Sequence, residues 1–281
     1  MLYYKFIHDT DNHRALKNII NGFLKFAKIP KLNDFSETFA MSDRKEIDES
    51  LAKFRRKGID AVERNNLDKH LALVEKIGWA GTIDNLMDAV ANIGPQVFRN
   101  PEDRLNRAVG DLPDLLRREN TFIQNKIGIF CVSDRVDSFP MWAHYARNAS
   151  GLALEFDHLE QLFPGDETGV LNELKKVDYF PDKRPCVPLN PSDLKELFFS
   201  KLQDWNYESE WRVILPLFEC EPNVEGDDDS WRLFKIDNPE KYIKRIIVGW
   251  NGDFEEIRNF VKDKCDIPVV QAKVKDGNIV V

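Results

Sequence analysis

Neither a C-x-x-C pair nor a run of about 18 apolar residues occurs anywhere in this 281-residue chain. The first absence argues against a zinc ribbon or a thioredoxin-type centre. The four cysteines, Cys131, Cys186, Cys220 and Cys265, stand far apart and fit reduced thiols in a cytosol. The second absence, together with an amino terminus lacking a long apolar signal region, gives the expectation of a cytoplasmic protein with no membrane association. G-x-G-x-x-G, the P-loop, H-E-x-x-H and the EF-hand loop are also missing. That weakens the usual dinucleotide, phosphate-transfer and metalloprotease readings. Positive charge is in deficit: the net charge of -8 opposes broad attraction to nucleic-acid phosphates, though not a local basic cleft. What is present suits a folded chain, with 42% hydrophobic and 11% aromatic residues, enough for one large domain or two modest ones.

Periodicity sketches the organisation. Residues 2–7 read as a strand, and a polar stretch leads into a helix carrying Leu16, Ile19 and Ile20 at helical spacing. A second strand follows over 23–27, before Pro30 and Asn33-Asp34 open a loop. From about 42 to 125 long charged stretches carry apolar residues at helical spacing, punctuated by Gly58, Gly78, Gly94-Pro95, Pro101 and Pro113. This predicts a helical insertion in a single α+β domain, which either recognises a protein partner or caps the fold. Strands are expected again at 127–133, 151–157, 177–180, 210–217, 232–236, 243–250 and 269–274. Helices are expected at 140–147 and 254–264. The acidic stretch 225–230 reads as a solvated turn.

The segment 205–215, Trp-Asn-Tyr-Glu-Ser-Glu-Trp-Arg-Val-Ile-Leu, carries the most chemistry. Read as one strand, it puts Glu208, Glu210 and Arg212 on one face and Tyr207, Ser209, Trp211, Val213 and Leu215 on the other. Neighbours on one face stand roughly 6.5–7 Å apart, close enough for two carboxylates to share a substrate and for Arg212 to offset their repulsion. The plainer alternative is an edge strand whose charges face water and deter edge pairing. In 141–146, Trp142 and Tyr145 share a helix face. Such aromatics either fill a core or, with a polar tip at a cleft, stack on a flat ligand. Lys5, set in an aromatic strand, is either an outward edge lysine or a cation held for a ligand.

Tyr4-Lys5-Phe6, Leu32-Asn33-Asp34 with Glu37, Phe130-Cys131-Val132-Ser133, 141–146 with Gly151, and Trp205-x-Tyr207-Glu208-x-Glu210-Trp211-Arg212 follow one another over residues 2–215. In this order they resemble a bacterial domain family of unknown function, catalogued as number 2971. Phe35 stands where that family usually has Pro, and Ile7 where it often has Arg. The family is in turn similar to the ADP-ribosyltransferase fold, which implies a split β-sheet core around an NAD cleft. The resemblance implies Glu210 as principal catalytic carboxylate and Glu208 as its partner. It further implies Lys5, Ser133, Trp142, Tyr145 and Arg212 as NAD contacts, without a metal. NAD would be the substrate, a protein or nucleic acid the acceptor, and a toxin or phage-defence effector the biological setting.

A second enzymatic version simply hydrolyses NAD, and two other classes stay open: a non-catalytic module that binds a ligand or partner, and a metal-dependent nuclease built from Glu208, Glu210 and acidic loop residues. Fold analogy alone does not decide between them.

Overall fold

Residues 1–9, 13–28, 125–166, 168–181, 198–221 and 230–281 are described by the computed structural model. The anticipated helical insertion over 42–124, the Asn33-Asp34 loop and the acidic residues 225–229 lie outside them.

A mixed α+β architecture is built on a nine-stranded sheet. The opening strand, helix, strand pattern is as periodicity predicts: β1 is Tyr3–Ile7, α1 is Arg14–Ile20 and β2 is Phe23–Lys28. The central strand β3, Ile127–Ser133, is apolar along most of its length because both of its faces are covered. After it come α2, Phe139–Tyr145, and β4, Leu152–Phe156. A four-residue helix α3, Leu159–Leu162, precedes the short strands β5, Lys175–Lys176, β6, Asp178–Phe180, and β7, Ser200–Leu202. Strands β8, Glu210–Pro216, and β9, Trp231–Lys235, lead through α4, Pro239–Tyr242, to β10, Ile243–Val248. The chain continues with α5, Phe254–Lys262, β11, Val269–Gln271, β12, Lys273–Lys275, and β13, Asn278–Val280. Asp253 caps α5 by accepting the Glu256 N–H at 2.9 Å.

Strand order is β11-β10-β4-β1-β3-β2-β9, with β8 pairing β3 and β5 pairing β8. The sheet forks at β3. One edge of β3 pairs with β8 from Ile127↔Pro216 to Ser133↔Glu210. The other edge is shared, meeting β1 at Tyr4↔Ser133 and β2 at Ala27↔Ile129 and Lys28↔Gly128. Strands β6 and β7 form a separate parallel ribbon, and β12 and β13 a separate antiparallel one.

Alternation along the strands gives each face its own core. One face carries Tyr3, Phe130, Val132, Leu154, Phe156 and Val213 against α1 and α5. The other carries Tyr4, Phe6, Ala153 and Ile247 against Met141 and Trp142 of α2. On this second face the registers line up Glu210, Ser133, Tyr4, Glu155 and Arg245 across five adjacent strands. Glu155 and Arg245 close the far end of that polar row with a charged hydrogen bond of 2.9 Å, Nε to Oε1.

The turn after α2 runs through three left-handed residues, Arg147, Asn148 and Ala149, and closes on the end of β10. Gly249 is needed there because a Cβ would stand 2.1 Å from the Ala149 carbonyl oxygen. Gly249→Ala is expected to lower stability by about 1–3 kcal/mol through overpacking, read as a lower urea midpoint at unchanged m-value. Among the described residues, no helix is long and apolar enough to cross a membrane.

Candidate functional site

The segment read as one strand over 205–215 is two structures. Gln203–Glu208 winds as a 3-10 helix, and Ser209 takes a left-handed conformation with φ 45° before β8 begins at Glu210. The polar residues Asp204 and Asn206 favour such local turns over a ladder. Glu208 and Glu210 are therefore not neighbours on one strand face. They converge instead from a turn and a strand.

Nor does either acid face water. Glu208 is 3% exposed, Glu210 5% and Arg212 1%. The edge-strand alternative, with its charges in solvent, is thereby excluded for these three. Between the acids sits Lys201, 3% exposed, carried by the β6–β7 ribbon. Its Nζ donates to Glu208 Oε2 at 2.5 Å and to Glu210 Oε2 at 3.1 Å. Arg212 grips Glu210 with both arms of its fork, Nε to Oε1 at 2.8 Å and Nη2 to Oε2 at 3.0 Å. The remaining arm, Nη1, donates to the Phe198 carbonyl at 2.8 Å. Among the described residues, two acids and two bases thus meet in this buried cluster, and such pairing is the condition under which interior charges are tolerated.

The ribbon also clamps the backbone of Glu210. The Val177 N–H donates to the Glu210 carbonyl, and the Glu210 N–H donates to the Tyr179 hydroxyl, each at 2.9 Å. On the other side of the cluster the Tyr145 hydroxyl donates to Glu208 Oε1. Tyr145 is half-buried at the end of α2, next to exposed His144. Beside Tyr145 the rings of His144 and Tyr207 stand 6.1 Å apart, as do those of Trp205 and Tyr207. Lys201 Nζ lies 4.9 Å from the Trp205 ring centroid.

This environment drives the two acids apart. For Glu208, burial raises the pKa and the repulsion of Glu210 adds to it; Lys201 and the Tyr145 hydrogen bond pull it down only in part, so the carboxyl titrates above its ordinary range. Burial also raises Glu210. There Arg212 and Lys201, with hydrogen bonds from Arg212 and the Cys131 thiol, outweigh it and hold the carboxyl well below the carboxylate range. The Cys131 thiol is itself pushed up by burial and by Glu210, which makes it an inert neighbour.

Of the residues singled out from sequence, Glu208, Glu210, Arg212 and Tyr145 meet in this cluster. Ser133 borders it, opposite Glu210 in register and 1% exposed. Its hydroxyl is engaged locally, accepting the Arg135 N–H at 3.1 Å. Trp142 is not in the cluster. It is fully buried in the core, edge-on to Phe6 with centroids 5.1 Å apart, and its indole N–H donates to the Val136 carbonyl at 2.8 Å. This is the core alternative for Trp142. Lys5 is separated too. It alternates with Tyr4, so it lies on the opposite sheet face, where its Nζ stands 5.1 Å from the Phe130 centroid. There it donates to the Cys131 carbonyl at 2.8 Å, filling the gap where β1 and β2 part along β3.

Lys201 and Tyr179 were not anticipated. A signal for the first exists, a lone cation in Phe198-Phe199-Ser200-Lys201-Leu202 where burial requires an acid partner. Among the described residues, no group of three or more His, Cys, Asp or Glu side chains is placed to hold a metal ion.

Residues 141–213 match the family profile described as protein of unknown function (DUF2971), a stretch that contains Tyr145, Lys201, Glu208, Glu210 and Arg212. No curated protein and no solved structure matches the chain.

Proposed function

We propose that this chain consumes NAD in an ADP-ribosyltransferase-like reaction, breaking the bond between nicotinamide and ribose and passing ADP-ribose to a protein or nucleic-acid acceptor. The observation that carries the reading is the unequal state of the two acids. Glu210 already accepts three charged hydrogen bonds and serves as an anchor. Glu208 accepts one hydrogen bond at each oxygen, has a raised proton affinity and stands directly behind the half-buried Tyr145. Pairs of carboxyls pushed apart in this way divide into a fixed charge and a proton-handling group. The roles therefore differ from those implied by the resemblance: Glu208 is the reacting acid and Glu210 holds the frame.

The chemistry follows from charge. Departure of nicotinamide takes the bonding electron pair with the ring nitrogen and leaves cationic character on the ribose. A carboxylate close to the ribose stabilises charge that develops mainly in the transition state. The acceptor then forms the new bond at the anomeric carbon, and its proton passes to Glu208 directly or through the Tyr145 hydroxyl. Substrate reaches Glu208 when the Tyr145 ring turns aside. The His144, Tyr207 and Trp205 rings supply flat surfaces at the entrance.

The test is incubation of the full chain with NAD labelled in the adenosine half, scoring nicotinamide release and transfer of label to protein or nucleic acid. Release with label in free ADP-ribose gives hydrolysis in place of transfer. Binding of NAD with no release over hours overturns the enzyme in favour of a binding module. Nucleic-acid cleavage that needs a divalent metal and ignores NAD supports the nuclease. The present cluster favours that less, because the Lys201 ammonium holds the position between the acids that a bridging cation requires.

A further inference from the structure

Lys201 is the member of the cluster that contacts both acids from outside the main sheet. The ribbon that carries it, β6 with β7, pairs with no strand of the nine-stranded sheet. It is attached to the site by the Glu210 backbone clamps, by Arg212 to the Phe198 carbonyl, and by Lys201 itself. Lys201 Nζ is shared between Oε2 of both acids, and the Tyr145 hydroxyl takes the opposite oxygen of Glu208. The Glu208 carboxylate is consequently held at both ends, by a fixed cation behind and a half-buried phenol in front. A carboxylate on a 3-10 turn without the rear contact would have one hydrogen bond and an adjacent anion to avoid.

We propose that Lys201 is the positioning residue of the acid pair, fixing Glu208 against Tyr145 and setting how readily Glu208 exchanges its proton. This deepens the reading of Glu208 as the reacting acid and rests on it for its catalytic meaning, though not for its physical content. The Lys201 ammonium is buried against both carboxylates and the Trp205 ring. Its action runs through Glu208. Docking of the ribbon then becomes a condition for a competent site, because the lysine cannot be in place unless β7 is.

The experiment compares wild type, Lys201→Met and Lys201→Arg, with folding checked by far-ultraviolet circular dichroism. The first readout is the titration midpoint of the Glu208 carboxyl by carbon-13 NMR on glutamate-labelled protein, assigned with Glu208→Gln. The second is the pH profile of nicotinamide release. Lys201 lowers the proton affinity of Glu208, by charge and by hydrogen bond, so Lys201→Met is expected to raise the midpoint by about one pH unit or more. Nicotinamide release at neutral pH should fall about tenfold or more, with the acid limb of its profile moving up in parallel. Lys201→Arg keeps the charge and should recover at least half of the midpoint shift. An unmoved midpoint in folded Lys201→Met overturns the proposal, whatever the activity. If Lys201→Met does not fold, the Arg variant decides: a wild-type midpoint combined with activity lost at every pH overturns it, and an activity profile that tracks the Glu208 midpoint supports it. If the wild type releases no nicotinamide, the NAD reading fails, while the midpoint shift still decides the role of Lys201.

Discussion

Glu208→Gln is expected to reduce nicotinamide release by a factor on the order of 10²–10³ while leaving the protein folded, the scale of loss seen when one preorganised electrostatic contact to a developing charge is removed. The amide keeps the size of the side chain; with its carbonyl oxygen toward Lys201 it still accepts from the ammonium, and its NH2 then donates to the Tyr145 hydroxyl in place of the lost acceptor. It cannot carry negative charge or take the acceptor's proton. The fold tolerates the change because Lys201 keeps Glu210 as its counterion at 3.1 Å. Steady-state kinetics separates the causes. A lower kcat with KM unchanged marks an interaction made in the transition state, whereas a raised KM with kcat intact would make Glu208 a binding group and remove it from the chemistry. Glu210→Gln, at the position the family resemblance implies as the principal carboxylate, should behave differently. It takes the counterion from Arg212, and its loss of activity should come with a loss of stability.

The second large effect is structural. Arg212→Met is expected to destabilise the protein by about 3–5 kcal/mol, because it leaves the Glu210 carboxylate buried with half its cationic support gone and removes the Arg212 bond to the Phe198 carbonyl. Urea unfolding followed by tryptophan fluorescence measures this directly. A loss under 1 kcal/mol would mean that the pair adds nothing over a well-packed apolar side chain.

Acid should separate the two carboxylates as well. The folded pKa of Glu210 lies below its unfolded value, so its ion pairs contribute stability above the ordinary carboxylate range, and that contribution is lost as pH falls. Glu208 has the opposite sign. Its folded pKa is raised, so the stability it contributes is present below the unfolded value and is lost as pH rises through the folded one. Arg212→Met removes most of the force holding Glu210 down, so its stability should fall less steeply than that of the wild type as pH drops through the carboxylate range. Parallel acid limbs for the two proteins would show that Glu210 is not the group responsible.

Much of the framework was readable one residue at a time. The near-continuous apolar runs of β3 and β4, the alternation in β1, and the 3.6 period in α1 and α5 reflect which side chains each element buries, and burial is written locally in the order of apolar residues. The paired acids and Arg212 were also visible, as charges set in an aromatic segment. The error lay at Ser209. A single left-handed residue ends the pattern of alternation, and the propensity of Asn206-Tyr207-Glu208-Ser209 to turn is weaker in sequence than the regular spacing of Glu208, Glu210 and Arg212 suggests.

The sequence by itself determined the α+β framework, the residues that had to be buried and the presence of two acids and an arginine close together late in the chain, since each follows from local periodicity and composition. Only the tertiary structure decided that Lys201 lies between those acids, that Tyr145 backs onto Glu208 while Lys5 falls on the opposite sheet face, and that Trp142 belongs to the core. The physical reason is separation along the chain. Tyr145 and Glu208 are 63 residues apart and Lys5 and Cys131 126, and such contacts are set by strand register and by the fork of the sheet, which no local pattern encodes.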